Sequence, residues 1–250
     1  MSAQAIYVLW LRDMKWFLRA RARIISTIMM PFLWLAIIGM GLGTVTQIPG
    51  FGNYLDFLAP GIVAMAILFN STMTGISVLW DRQFGFLKEI LVAPVSRISI
   101  MIGKTFGGTS TSIIQGLLLL LVAGLIGAKM PDPIGFLVVL LFMTVLAIGF
   151  VGLGLAFVSR IKDPVAFPIV MNFLIMPLFF LSGAIFPLNM APGWLKTIAY
   201  IDPVAYGVDG LRGVIIGVSE FPVWLDLAIL GIFSLAMVLL GAYLFKKMSV

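Results

Sequence analysis

Residues Pro133 to Ser159 read PIGFLVVLLFMTVLAIGFVGLGLAFVS, a run without a charged side chain and with Thr144 and Ser159 as its only hydroxyls. A helix of that length crosses a bilayer's hydrocarbon core, which is about 30 Å thick and needs about 20 apolar residues. Five more charge-free runs accompany it: Ile24 to Leu55, Phe57 to Trp80, Thr105 to Ala128, Pro164 to Leu195 and Leu227 to Phe245. In lipid the backbone must satisfy its own hydrogen bonds, so each run reads as a helix. The pattern predicts an all-α polytopic membrane protein with six transmembrane helices. The first and fifth runs exceed one span, so part of each is expected to be interfacial or re-entrant. The first is expected to leave the helix near Gly43, ahead of Pro49 and Gly50.

Composition excludes several other classes. Apolar residues make up 62% of the chain and charged residues 10%, with a mean hydropathy of +1.16. A soluble domain carries about 25% charged residues. With no Cys there is neither a disulfide framework nor thiolate chemistry, and with no His the commonest metal ligand and general base are missing. No phosphate-binding G-x-x-x-x-G-K-[ST] loop occurs. No cleavable signal peptide is evident, because Met1 to Arg23 carries charges and lacks an apolar core.

The net charge of +6 reads as a topology signal, so no nucleic-acid partner is expected. With the N-terminus placed in the cytoplasm, thirteen of the sixteen Lys and Arg residues fall inside. Lys129, Lys196 and Arg212 fall outside. Both termini are therefore expected in the cytoplasm of a multi-pass cell-membrane protein.

Three segments depart from plain spans and loops within what reads as a single transmembrane domain over 1–250. Residues 1–23 place Ile6, Leu9, Trp10, Met14, Phe17 and Leu18 at helical spacing among basic residues, which suits a helix lying on the membrane surface. A plain basic topogenic flank would look similar. Residues 81–104 form an inside loop whose Gln83 to Val92 can make a short helix stopped by Pro94. Phe84, Phe86, Leu87, Ile90 and Leu91 on that helix need covering by headgroups or by another protein. Residues 182–226 hold four prolines and two helical pieces too short to span, Trp194 to Tyr200 and Pro203 to Ile216. They read as helices that dip into the outer leaflet and return. Asp209 and Arg212, three apart, can pair on one helix face.

Neutral polar residues cluster within the spans. Asn70, Thr74 and Ser77 share one face of the second, Thr111 and Gln115 lie in the third, and Asn172 lies in the fifth. They suit interhelical hydrogen bonds, or a weakly polar lining for an amphipathic substrate. Gly103 and Gly107, like Gly39 and Gly43, read as close helix packing. Acids within the spans are nearly absent, with Asp56 and Asp226 at edges. Ion-coupled transporters usually place acids there as relays, so energy for uphill transport is expected to arrive from elsewhere.

Two segments resemble a known family. Gly85-Phe86-Leu87-Lys88-Glu89-Ile90-Leu91-Val92-Ala93-Pro94-Val95-Ser96-Arg97, followed by Gly103-Lys104, is similar to the cytoplasmic loop of ABC-2 type transporter permeases. Phe180 to Pro187, Pro192-Gly193-Trp194 and Pro203 to Arg212 resemble that family's outer re-entrant segment. The likeness is to daunorubicin-type drug exporters and to polysaccharide and nodulation-factor exporters. Phe86 departs from the Thr often found there. The resemblance implies a non-enzymatic permease subunit of an exporter for a drug, lipid or lipid-linked glycan. Two copies, a homodimer, would surround a pathway, and two separate ABC ATPase subunits would carry ATP and Mg, leaving this chain without a cofactor. Phe86, Leu87, Glu89, Leu91, Pro94 and Arg97 would couple to the ATPase. Asn70, Thr74, Ser77, Thr111, Gln115 and Asn172 would line the pathway. Trp194, Tyr206, Asp209 and Arg212 would belong to an outer gate. Two other readings are an ion-coupled secondary transporter and a membrane-embedded lipid-modifying enzyme.

Overall fold

A computed structural model describes residues 3–43, 47–48, 52–85 and 96–247. Helix α1 (Ala3–Arg19) is followed after one residue by α2 (Arg21–Leu33), which continues through a π-helical stretch, Trp34–Met40, and a last turn, Gly41–Gly43. Pro31 lies inside α2 and supplies no N–H to the ladder, and the hydrogen bonding loosens to π register just beyond it. The helix reaches Gly43, as the sequence predicts. A two-residue antiparallel pair, β1 (Gln47–Ile48) with β2 (Gly52–Asn53), leads into α3 (Tyr54–Gln83). The remaining helices are α4 (Arg97–Ile126), α5 (Pro133–Val158), α6 (Ala166–Leu181), α7 (Gly193–Ala199), α8 (Pro203–Ile216) and α9 (Val223–Lys246).

Side-chain caps fix where several helices begin. The Asn53, Ser96, Asp132 and Asp202 side chains accept from Leu55, Ser99, Gly135 and Val204 N–H respectively, at 2.9–3.2 Å. Gly127 and Gly217 end α4 and α8 at φ of 105° and 80°, a left-handed turn that glycine adopts without steric cost.

Among the described residues, five segments are long and apolar enough to cross a membrane: Ile24–Gly43, α3, α4, α5 and α9. The sixth expected span is shorter. Helix α6 has 16 residues, about 24 Å at 1.5 Å per residue, less than a core of about 30 Å.

Helix α3 is the centre of the bundle, packed by α2, α4, α5, α6 and α8. Contact with α5 is close enough that a Cβ on Gly154 would collide with the Thr72 carbonyl. Helices α5 and α9 run parallel, with Gly149 against Ser234 and Gly152 against the Met237 backbone. Helix α8 runs opposite to α5, with Gly207 against Leu146 and Gly210 against the Phe142 ring. The two short helices match the sequence expectation within a residue, and α8 is buried along most of its length.

Candidate functional site

One face of α3 floors a continuous groove. Met65, Ala66, Phe69, Asn70 and Met73 line an upper cavity of about 400 Å³, closed by α2, Gln115 of α4, and Pro168, Asn172 and Met176 around α6. Asn70, Met73, Thr74 and Ser77 then line a neck of about 40 Å³ together with Asp13, Trp16 and Phe17 of α1 and Thr111 of α4. Ser77, Trp80, Asp81 and Phe84 line a lower chamber of about 490 Å³ against Arg12, Asp13 and Trp16. These α3 positions recur every three or four residues, so they form one helical face. From Met65 to Phe84 the groove spans about 28 Å.

All six residues singled out as pathway lining border this groove. Asn70, Gln115 and Asn172 face the upper cavity, and Asn70, Thr74, Ser77 and Thr111 the neck. Some of them also hold helices together. The Asn70 amide donates to the Thr111 hydroxyl at 3.2 Å and to Ser112 at 2.9 Å, and Ser71 donates to Ser112 at 2.9 Å. The Gln115 amide donates to Thr27 of α2. Structural and lining roles therefore coexist on the same side chains.

A four-charge cluster stands beside the neck, and the sequence reading did not assemble it. Lys104 of α4, 1% exposed, donates to Asp13 of α1 at 3.3 Å and to the Ser77 hydroxyl at 3.1 Å, and pairs with Asp81 of α3 at 3.1 Å. Arg12 bonds Asp81 at 2.7 Å and reaches Asp13 at 3.4 Å. Two cations thus meet two carboxylates where three helices converge. The available signal was a single Lys in an apolar helix, which must find a buried partner. The glycines beside it read correctly. A Cβ on Gly103 would lie 2.9 Å from Leu9 Cβ, so α1 lies directly on α4. Trp10 reinforces that contact by donating to Ser110 at 3.0 Å. Trp16 and Trp80 meet edge to face at 6.0 Å at the rim of the lower chamber.

A second polar layer lies at the other end of the bundle. Arg212, 4% exposed, donates to the Gly183 carbonyl at 3.1 Å and the Phe57 carbonyl at 3.4 Å. The Asp209 carboxylate accepts from Glu220 N–H at 2.9 Å and Phe221 N–H at 2.9 Å, which pins the turn between α8 and α9. Tyr206 donates to the Tyr200 carbonyl at 2.7 Å, and its ring packs on Phe221. Trp194 on α7 is 64% exposed. Asp226 lies in the first turn of α9, fully buried, and neither carboxylate oxygen has a hydrogen-bond partner among the described residues.

Of the expected ATPase-coupling residues, Phe86, Leu87, Glu89, Leu91 and Pro94 lie outside the described residues. Arg97 opens α4 and donates to the Lys246 carbonyl at 2.7 Å. Among the described residues, no group of acids and histidines or cysteines could hold a metal ion.

Long apolar helices around a buried central helix define a multi-pass membrane protein. The chain belongs to the ABC-2 type transporter family, whose model matches residues 4–216. It is 30% identical to a putative transport permease, ycf38, of Cyanophora paradoxa over 84% of this chain and 73% of that protein. It is 23% identical to the inner membrane transport permease YadH of Escherichia coli K12, over 94% and 92%. Nodulation protein J of Rhizobium leguminosarum bv. viciae is 24% identical over 95% and 92%. The family expected from the loop and outer-segment motifs is therefore the family found, and the permease names of the relatives accord with a transport subunit.

Proposed function

We propose that this chain is the membrane-spanning subunit of an ATP-binding-cassette exporter, moving a hydrophobic or amphipathic substrate out of the cytoplasm or inner leaflet. The observation that carries the reading is the groove along α3. It combines an adaptable apolar wall of Met30, Met65, Met73 and Met176 with neutral polar groups from Asn70, Gln115 and Asn172. Flexible thioethers accommodate varied apolar shapes, and amides accept a polar group without trapping a charge.

In this reading α6 completes six spans, both termini face the cytoplasm, and the chain resides in the cell membrane. The first 23 residues lie at the inner interface, and residues 182–226 form a re-entrant outer gate. Supporting the gate, α8 runs antiparallel to both α5 and α9 from the level of Leu146 to Ile216, whose carbonyl accepts from Lys129 at 3.3 Å. A second copy closes the groove into a pathway. Two ABC ATPase subunits, carrying ATP and Mg, bind at the basic end through Phe86, Leu87, Glu89, Leu91, Pro94 and Arg97. Which drug, lipid or lipid-linked glycan travels is decided by assay. The test is ATP hydrolysis by the chain co-reconstituted with its ATPase in liposomes, across a panel of those three classes. Stimulation by one class supports the reading. Failure to co-purify with any ATPase overturns it.

A further inference from the structure

The groove narrows from about 490 Å³ to about 40 Å³ and widens again to about 400 Å³. The neck is the smallest part of the groove, so a bulky substrate passing between the chambers must widen it. One wall of the neck is α3, the buried centre of the bundle. Another is α4, through Gly107, Gly108 and Thr111, and the last is α1, which contributes Asp13, Trp16 and Phe17. Beyond it the chain leaves helical geometry at Ala20 (φ −87°, ψ 58°), which has no side-chain cap. Helix α1 is thus a short body joined to α2 by one non-helical residue, a geometry that allows it to swing relative to the spans.

Apolar packing of Leu9 on α4 and a charge cluster together hold α1 in place. Lys104 stands between Asp13 on the mobile wall and Asp81 on the fixed one, within 3.3 Å of both. Without its ammonium the two carboxylates, 16% and 17% exposed, would repel one another at close range. Arg12 adds a second link between α1 and α3, bonding Asp81 at 2.7 Å from a side chain that is 31% exposed. The same ammonium also donates to Ser77, a lining residue of the neck.

We propose that Lys104 is the positioning residue of the neck: it latches α1 against α3 and keeps the neck narrow. This rests on the groove being the substrate's route. The latch holds the neck closed in the resting complex, and passage requires the Asp13–Lys104–Asp81 contacts to part.

The chain has no cysteine, so single thiols report cleanly. Met176→Cys places a thiol in the upper cavity, and Phe84→Cys, 82% exposed at the lower chamber, serves as the control. A membrane-impermeant maleimide is applied from the basic side to vesicles holding the complex with its ATPase. Lys104→Met is expected to speed labelling at Met176→Cys by about five-fold or more, the lower end of ordinary two-state coupling. Phe84→Cys is unaffected, and Lys104→Arg labels like the parent. Should Lys104→Met fail to fold because two buried carboxylates lose their cation, the neutral triple Asp13→Asn/Asp81→Asn/Lys104→Met decides, with the same acceleration expected. Unchanged labelling at Met176→Cys in the folded variants overturns the latch. The route itself is tested separately: a bulky adduct on Met176→Cys that leaves substrate-stimulated ATP hydrolysis intact overturns the pathway reading whatever Lys104 does.

Discussion

The guanidinium carbon of Arg212 lies 3.8 Å above the centre of the Phe57 ring, while the same guanidinium donates to the Phe57 carbonyl. One residue of α8 thereby grips the first turn of α3 by both its face and its backbone, and reaches the Gly183 carbonyl as well. A planar, delocalised cation suits this task, whereas an ammonium would serve one acceptor and stack poorly. Arg212→Lys is therefore expected to behave almost like Arg212→Met. Each strands a buried carbonyl, at a cost of about 1–3 kcal/mol. Thermal unfolding in detergent, followed by tryptophan fluorescence, checks this. A Lys variant as stable as the parent would refute the two-handed role.

Asp209 works on the following turn. Its carboxylate accepts from the Glu220 and Phe221 N–H groups, a charge-assisted arrangement that an amide reproduces with one oxygen only. Asp209→Asn should cost about 1–2 kcal/mol and expose the 217–222 turn. Limited proteolysis should cut there first in the variant. An unchanged cleavage pattern would show that the turn is held by other contacts.

Gly154 separates packing from helix propensity. A Cβ there would collide with the Thr72 carbonyl, whereas a Cβ on Gly231 would meet nothing within 4 Å. Gly154→Val should force α3 and α5 apart, and overpacking of this kind costs about 1–3 kcal/mol or more. Gly231→Val should be nearly neutral. Comparing the yields of monodisperse protein for the two variants checks the contrast. Equal yields would mean that the α3–α5 interface can yield.

Most of the helical frame was legible in the sequence because lipid imposes length and apolarity on every span. Gly43 was readable as a helix end, and Pro203 to Ile216 as a short helix, because glycine and proline punctuate locally. The end of helix α6 was legible too, since the outer segment reads from Ser182 and the helix ends at Leu181; its shortness was not, because Pro164 to Leu195 carries no charge to mark where the helix begins. The groove residues Asn70, Thr74 and Ser77 were legible by helical spacing on one element. The Arg12–Asp13–Asp81–Lys104 cluster was not, because its members come from three helices whose mutual register no local pattern encodes. Asp209 and Arg212 illustrate the same limit. Their spacing correctly puts them on one helix, yet backbone groups distant in sequence supply the bonds that hold each of them.

Asp226 is buried with neither oxygen bonded among the described residues. A buried polar group without a partner opposes folding. Asp226→Leu, which keeps the branch at Cγ while replacing both oxygens by slightly larger methyl groups, should leave stability unchanged or raise it by about 1–3 kcal/mol. A markedly lower melting temperature would show that the carboxyl has a bonded role in the folded protein.

Asn70 provides the sharpest separation of packing from passage. It bonds two hydroxyls of α4 and also borders both the upper cavity and the neck. Interhelical side-chain bonds in membranes are worth only about 0.6 kcal/mol each on average, so two of them make a small share of the bundle's stability. Asn70→Leu should therefore cost about 1 kcal/mol of stability. Its larger effect should fall on substrate-stimulated ATP hydrolysis, because the substitution removes the amide where the groove is tightest and adds bulk beside Met73. Ser71→Ala is the matched control, since it loses one α3–α4 bond at a fully buried site away from the cavities. Melting curves and stimulated hydrolysis are measured on both. If both variants lose stimulation only in proportion to stability, Asn70 is a packing residue. If Asn70→Leu alone loses stimulation while melting like Ser71→Ala, its amide serves the groove.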